Sequence, residues 1–345
     1  MTFTIFNCGT GYHRGKRDVV VRLYELTSSH KFINDGPGSR GNMVTNKPGQ
    51  IAGVGVGTNV SRALRAIEEH YERYSRNRQL IVNLAGWSRG AITCLKIANR
   101  LYLKHNQLSR MVRFNIYGID PVPGGGVTPG ANVVNNPMWR KLKTTPNIKT
   151  CSLIYAQHDN TGMFRELFLP YVPQMRHSYT ETEVEVMPGN HSEMVEQSER
   201  NPEAHNLVMN LAKKFLSERG TNFRDNTQLG DDDILDKYAT IYDGYRRIGG
   251  KARERKMIGI KKKSKRTDFV LRPNKPPFFI NWQHREVFTQ RFPHVAQEID
   301  RSTRGQHTQR AETRGALQQD FRRLNSPQYR RTHEIVHDYL IQDVI

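Results

Sequence analysis

The chain has 345 residues, 36% of them hydrophobic, a mean hydropathy of −0.70 and a net charge of +20. That length accommodates one large domain and a smaller one, and the low apolar fraction means that part of the chain is polar rather than core. No run reaches the ~18–20 apolar residues of a membrane span. The opening Met1-Thr2-Phe3-Thr4-Ile5-Phe6-Asn7 lacks the basic and apolar regions of a Sec signal, so synthesis in the cytoplasm without one is expected.

Phe3 to Phe6 reads as a short strand ending in the glycine turn Cys8-Gly9-Thr10-Gly11. Residues 30–58 read as loop, rich in glycine and proline. Val60, Leu64, Ile67, Tyr71 and Tyr74 then recur at steps of three and four and predict a helix with those side chains on one face. Residues 80–85 predict a buried strand, which turns at Gly86-Trp87-Ser88-Arg89-Gly90 into a helix carrying Ala91, Leu95, Ala98 and Tyr102 on one side. Residues 114–118 and 152–156 predict two more strands, ending near Asp120 and Asp159; residues 182–187 alternate and end at Pro188-Gly189-Asn190-His191. Leu207, Val208, Leu211 and Phe215 mark a closing helix. Strands alternating with helices imply an α/β fold with a mostly parallel sheet, whose functional groups gather at the carboxyl ends of the strands.

Beyond about residue 220 the pattern changes. The expected organisation is a catalytic domain over residues 1–220 and a smaller, basic, mainly helical region over 221–345. In the latter, residues 231–245 and 316–339 read as helical, and a proline-aromatic patch includes Pro276, Pro277, Phe278, Phe279 and Trp282. The three cysteines, Cys8, Cys94 and Cys151, are too far apart for a disulfide framework or a zinc site and read as reduced thiols.

The chemistry sits in a G-x-S-x-G pentapeptide between a strand and a helix. A serine hydroxyl is a weak nucleophile unless a base takes its proton and a third group orients that base. A sharp strand-to-helix turn exposes such a serine, and the backbone N–H of the next residue, Arg89, starts the helix and can face a developing oxyanion. Ser88 is therefore the candidate nucleophile, and His191, after the last predicted strand, the candidate base. Asp120 and Asp159 both end strands, and either can serve as the acid; each would otherwise be a turn aspartate capping backbone. Gly9 and Thr10, in the turn after the first strand, are candidates for the second oxyanion donor. Gly53-Val54-Gly55-Val56-Gly57 is not a dinucleotide fingerprint, and no phosphate-loop lysine or H-E-x-x-H is present, so no cofactor and no metal are expected.

Several segments together resemble a family of bacterial and fungal α/β hydrolases that includes the type VI secretion lipase effectors. Gly86-Trp87-Ser88-Arg89-Gly90-Ala91 is similar to its G-F-S-R-G-A elbow, and Asn7-Cys8-Gly9-Thr10-Gly11 to its opening D-G-T turn, with Cys8 in place of the aspartate. Gly53 to Thr58 resembles its G-V-G-T segment, and Tyr117-Gly118-Ile119-Asp120-Pro121-Val122 its G-V-x-D-T-V strand end. Asp159, Arg165, Phe168 and Pro170 resemble its D-x-x-R-x-x-F-x-P, and Pro188-Gly189-Asn190-His191-Ser192-Glu193 its P-G-x-H-S-D. The resemblance implies an α/β-hydrolase-type sheet flanked by helices and a serine esterase or phospholipase with a Ser–Asp–His triad, and it favours Asp120 over Asp159. It also implies an ester or phospholipid substrate and suggests a secreted bacterial effector.

Charge adds a separate expectation. Residues 1–220 hold 28 Lys and Arg against 17 Asp and Glu; residues 221–345 hold 25 against 16. Residues 251–266 alone carry nine Lys or Arg and one acid. Such a stretch suits an anionic membrane at ~1 kcal/mol per basic residue near the surface. Nucleic acid is the less favoured partner, and a solvated linker the bland alternative. A non-catalytic α/β-hydrolase-fold module with a basic binding tail is the competing function.

Overall fold

The computed structural model describes residues 2–39, 55–76, 78–104, 106–123, 142–156, 158–159, 171–173, 180–187, 189–197, 203–225, 227, 229, 233, 237, 241, 253–259 and 267–271. Its first elements are β1 (Thr2–Asn7), α1 (Val19–Leu26) and β2 (Lys31–Asn34). There follow α2 (Val56–His70), β3 (Leu80–Trp87), α3 (Arg89–Leu103), α4 (Gln107–Met111), β4 (Val112–Ile119) and β5 (Ile148–Ala156). The chain continues through β6 (His158–Asp159), β7 (Tyr171–Val172), β8 (Glu181–Met187), α5 (Ala204–Glu218), β9 (Arg253–Gly259) and β10 (Thr267–Leu271). Six strands form one all-parallel sheet in the order β2-β1-β3-β4-β5-β8. With the sharp turn after β3 and helices on both faces, this is an α/β-hydrolase-type architecture.

The period of two along each strand sorts side chains to the two faces. Leu80, Val82 and Leu84 of β3 join Phe114 and Ile116 of β4 in the core beneath α2 and α3. Ala85, Trp87, Tyr117 and Ile119 point the other way, into the core beneath α1 and α5. A parallel sheet covered on both faces buries nearly every strand residue, which is why these strands read as continuous apolar runs. Each fully buried Leu, Ile or Phe contributes about 1.5–3 kcal/mol relative to exposure.

Not all of that interior is apolar. Register sets Thr4 opposite Asn83, Asn83 opposite Asn115, and Asn115 opposite Thr150, so four polar side chains cross four strands in one row. They bond to one another: Asn115 Nδ2 donates to Asn83 Oδ1 at 2.8 Å, and Thr150 Oγ1 donates to Asn115 Oδ1 at 2.8 Å. The C-terminal end of α5 completes the row. Asn83 Nδ2 donates to Arg219 O and Thr221 Oγ1, Arg219 Nε donates to Thr150 Oγ1, and the Thr4 and Thr221 hydroxyls lie 2.8 Å apart. A slip of one residue would turn this row onto the other face and leave it unpaired, so the row pins the register.

Three expectations change. Residues 30–58 are not all loop, because Lys31–Asn34 forms β2 at the edge of the sheet, paired from Thr4↔Lys31 to Asn7↔Asn34. Four residues are too few to display alternation, and their pairing partner lies far off in sequence. Tyr74 does not line the buried face of the helix. A π-turn over Tyr71–Ser75 widens the last turn, which keeps Tyr71 buried and leaves Tyr74 exposed. Beyond residue 220, the described positions 233, 237 and 241 are helical, but β9 and β10 are antiparallel strands within or beside the basic stretch. β9 also pairs with β6 and β7, and these long-range partners leave no local trace in the sequence.

The core continues past residue 220: Phe223 and Ile241 are buried against the α1/α5 side, and Lys237 pairs with Glu203 at 2.6 Å. All three cysteines are buried and unbridged. Among the described residues, no helix is long and apolar enough to cross a membrane. The segment from Gly124 to Lys141 lies outside the described residues. So do Arg165, Phe168 and Pro170, the proline-aromatic patch, and the expected helix over 316–339.

Candidate active site

Two non-glycine residues among those described have a left-handed backbone: Ser88, with φ 56°, and Asp120, with φ 44°. Such conformations cost about 1–3 kcal/mol each and persist only where the surroundings enforce them. At Ser88 the enforcement is visible. Its N–H donates to Ile119 O at 2.9 Å, and its carbonyl accepts from Ala91 and Ile92, which start α3. The turn is tight enough that the flanking glycines are obligatory. A Cβ on Gly90 would lie 2.0 Å from Asn7 O, and one on Gly86 would lie 2.5 Å from the Gly90 carbonyl carbon.

Asp120 ends β4 next to the elbow. Its N–H donates to Ile154 O at 2.7 Å, and its Oδ1 accepts from Ala156 N at 3.3 Å, so the carboxylate is bolted to the end of β5. It is fully buried. Its Oδ2 lies 2.5 Å from His191 Nδ1, and His191 Nε2 lies 3.0 Å from Ser88 Oγ. A serine, an imidazole and a carboxylate thus stand in line, with the histidine joined to both neighbours. The chain order is Ser, Asp, His, and 103 residues separate the serine from the histidine. Asp159 is taken up instead by β6, whose backbone pairs with Arg253 of β9.

The turn that holds His191 is organised by its own polar groups. Asn190 Oδ1 accepts from Ser192 N, Ser192 Oγ and Glu193 N, and Glu193 Oε2 accepts in return from Asn190 N. The turn is tied to α1 by Val19 N–H donating to Val195 O at 3.1 Å, and Tyr12 donates its hydroxyl to Glu196. Trp87 flanks the imidazole with ring centroids 5.0 Å apart, and Tyr12 packs edge-on against the other side of Trp87. Sequence reading did not single out this supporting layer. The spacing of Asn190 and Glu193, an acceptor followed three residues later by an acid, is the one signal that pointed to a self-capped turn.

The loop after β1 lies beside the elbow. Gly9 approaches the Trp87 ring so closely that a Cβ would meet it at 2.3 Å, and Gly36 is pressed against Gly9 O. Tyr12 N–H donates to Gly9 O and Gly11 N–H to Pro37 O. Among the described residues, the backbone N–H groups of Gly9 and Thr10 make no hydrogen bond. The Arg89 side chain reaches this loop: Nη1 donates to Thr10 Oγ1 at 2.5 Å. Burial lowers the Arg89 pKa to about 10, which leaves it charged at neutral pH. Cys8, where the resembled family has an aspartate, is buried, and burial together with Asp18 and Asp35 pushes its thiol pKa up, so it stays a neutral, inert thiol.

No family model matches the chain, and no curated protein matches it. Among solved structures it is similar to the Tle1 effector bound to the VgrG spike of the type 6 secretion system, at 18% identity over 56% of this chain and 50% of that one, with a TM-score of 0.38. It is similar to an uncharacterized protein from Pseudomonas aeruginosa at 12% identity over 70% and 51%, TM-score 0.44. It is similar also to the peroxisomal α/β-hydrolase Lpx1 of Saccharomyces cerevisiae at 14% identity over 72% and 84%, TM-score 0.34. The chain spans about half the length of the first two.

Proposed function

We propose that the protein is a serine hydrolase of carboxylic esters, with lipids or phospholipids as substrates, in which Ser88 is the nucleophile, His191 the base and Asp120 the acid. The observation that carries this reading is the continuous contact Ser88 Oγ–His191–Asp120 at 3.0 and 2.5 Å. In the reaction, Ser88 Oγ attacks the ester carbonyl carbon and passes its proton to His191 Nε2. The tetrahedral oxyanion is held by the N–H of Arg89 and a second N–H from the Gly9-Thr10 loop. Collapse breaks the ester C–O bond, and His191 returns the proton to the departing alcohol. Water, deprotonated by His191, then attacks the acyl carbonyl; the bond to Ser88 Oγ breaks, His191 returns the proton to Oγ, and the acid leaves. Asp120 keeps the imidazole proton on Nδ1, so that Nε2 is free to accept.

Purified full-length protein should hydrolyse p-nitrophenyl butyrate and label at Ser88 with a fluorophosphonate probe. Ser88→Ala should abolish both. Undiminished hydrolysis by Ser88→Ala would overturn this reading; a wild-type protein that neither hydrolyses the ester nor takes up the probe would leave the non-catalytic module.

Contact with an anionic bilayer through residues 251–266 belongs to the same proposal. Its support is that β9 lies within that stretch and pairs with β6, which begins two residues after β5, at the carboxyl edge of the sheet. Vesicles of phosphatidylcholine with phosphatidylglycerol should sediment the protein, whereas phosphatidylcholine alone should not; an RNA mobility shift without vesicle binding would favour nucleic acid. Export as a bacterial effector, which the sequence resemblance implies, is a further element and is checked by recovering the chain outside intact producing cells.

A further inference from the structure

We infer that the Arg89 side chain is a positioning residue for the oxyanion hole: it grips Thr10 and so fixes the loop that supplies the second donor. This inference rests on the hydrolase reading. Arg89 occupies a costly place. Arginine is rarely buried, and removing a guanidinium from water costs several kcal/mol. It stands at the first position of α3, where the helix dipole disfavours a cation. The elbow does not need this side chain for its shape, because Gly86, Gly90 and the Ser88 backbone bonds already account for the turn.

From this position Arg89 Nη1 donates to Thr10 Oγ1 at 2.5 Å. The loop around Thr10 is fastened on either side. Gly9 is wedged against Trp87, Gly9 O accepts from Tyr12, and Gly11 N–H donates to Pro37 O. Thr10 itself has the bond from Arg89 as its hydrogen-bonding contact among the described residues, and its N–H is left without one. An oxyanion hole works by holding donors in place before charge develops. Here a single residue serves both halves: the Arg89 backbone supplies one N–H, and its side chain holds the loop that supplies the other. The separation between the donors is thereby set through one side chain instead of through two independently mobile segments.

The test measures p-nitrophenyl butyrate hydrolysis and the rate of fluorophosphonate labelling at Ser88, on full-length protein. Thr10→Val removes the acceptor at nearly constant volume, and Arg89→Gln removes the guanidinium while keeping the backbone N–H. Each should lower kcat and the labelling rate about 10- to 100-fold, the scale of a misplaced or lost donor. KM should stay within about threefold and Tm near wild type. Thr10→Ser should restore most of the rate. The Thr10→Val/Arg89→Gln double variant should be no slower than the worse single variant, since both break the Arg89–Thr10 bond. A wild-type kcat in Thr10→Val, or additive losses in the double variant, would overturn the inference. If Arg89→Gln fails to fold, the Thr10→Val and Thr10→Ser pair decides alone. Activity surviving in Ser88→Ala would sink the hydrolase reading itself; activity lost there but intact in Thr10→Val would sink only this inference.

Discussion

Two of the buried polar systems of the sheet obey different rules. In the middle of the sheet, Thr4, Asn83, Asn115 and Thr150 of four strands, with Thr221 and Arg219 from the end of α5, form a row whose members bond to one another. At its carboxyl edge, Ser88, His191 and Asp120 form a row of similar length, yet two of the three have left-handed backbones. The first system is satisfied and unstrained, so its effect is to fix register. The second is strained, so its effect, under the proposed function, is chemistry. Burial of polar groups is therefore not itself a sign of a site; strain combined with an acid, a base and a nucleophile in series is.

The comparison is broken most sharply at the edge. Ser88→Ala or His191→Ala should reduce kcat for p-nitrophenyl butyrate by about 10⁶ with Tm within a few degrees, because removal of either triad member disables the unit. Asp120→Asn should cost about 10⁴ by permitting the wrong imidazole tautomer. Asp159→Asn should leave the rate within about threefold, and a larger loss would move the acid to Asp159. In the middle row the readouts exchange. Asn115→Leu strips partners from Asn83 Oδ1 and the Thr150 hydroxyl, at about 1–3 kcal/mol for each orphaned group. Urea denaturation should register this loss, while kcat per folded molecule stays unchanged.

The smallest effect is expected at Asp18, which belongs to neither class. It caps α1 through Oδ1, but its Oδ2 is buried without a partner. Burial pushes its pKa up to about 6, against an unfolded value near 3.8. A carboxyl with a raised folded pKa favours the native state fully below the unfolded pKa and loses that contribution as pH rises through the folded one. Asp18→Asn keeps the cap and carries no charge. It should therefore gain about 1–3 kcal/mol over wild type at pH 7 and little at pH 4, read from urea midpoints across that range. An equal gain at both pH values would contradict the burial account.

Much of this was legible in the chain. The six-residue run before Gly86, the glycines at 86 and 90, and the amphipathic helix after them define the elbow locally. His191 follows an alternating strand, and Asp120 and Asp159 each end an apolar run. Choosing between the two aspartates was not legible from pattern, because both satisfy the same local rule and only the pairing of β5 with β4 and β8 decides which carboxylate meets the imidazole. β2 was hidden by its shortness, the π-turn by its helix-like spacing, and the β9–β10 hairpin by partners more than 80 residues away in β6 and β7.

What the amino-acid order determined unaided was whatever depends on near neighbours: strand and helix periods, the strained serine turn, the caps, and the basic excess of residues 251–266. Tertiary structure alone decided the contacts between distant residues. It set Asp120 against His191, aligned Thr4, Asn83, Asn115 and Thr150 into one row, and brought the Arg89 guanidinium to Thr10. The physical reason is range. Periodicity and turn chemistry act over a few residues, whereas hydrogen bonds between parallel strands join positions that only a right-handed crossover and a shared core bring side by side.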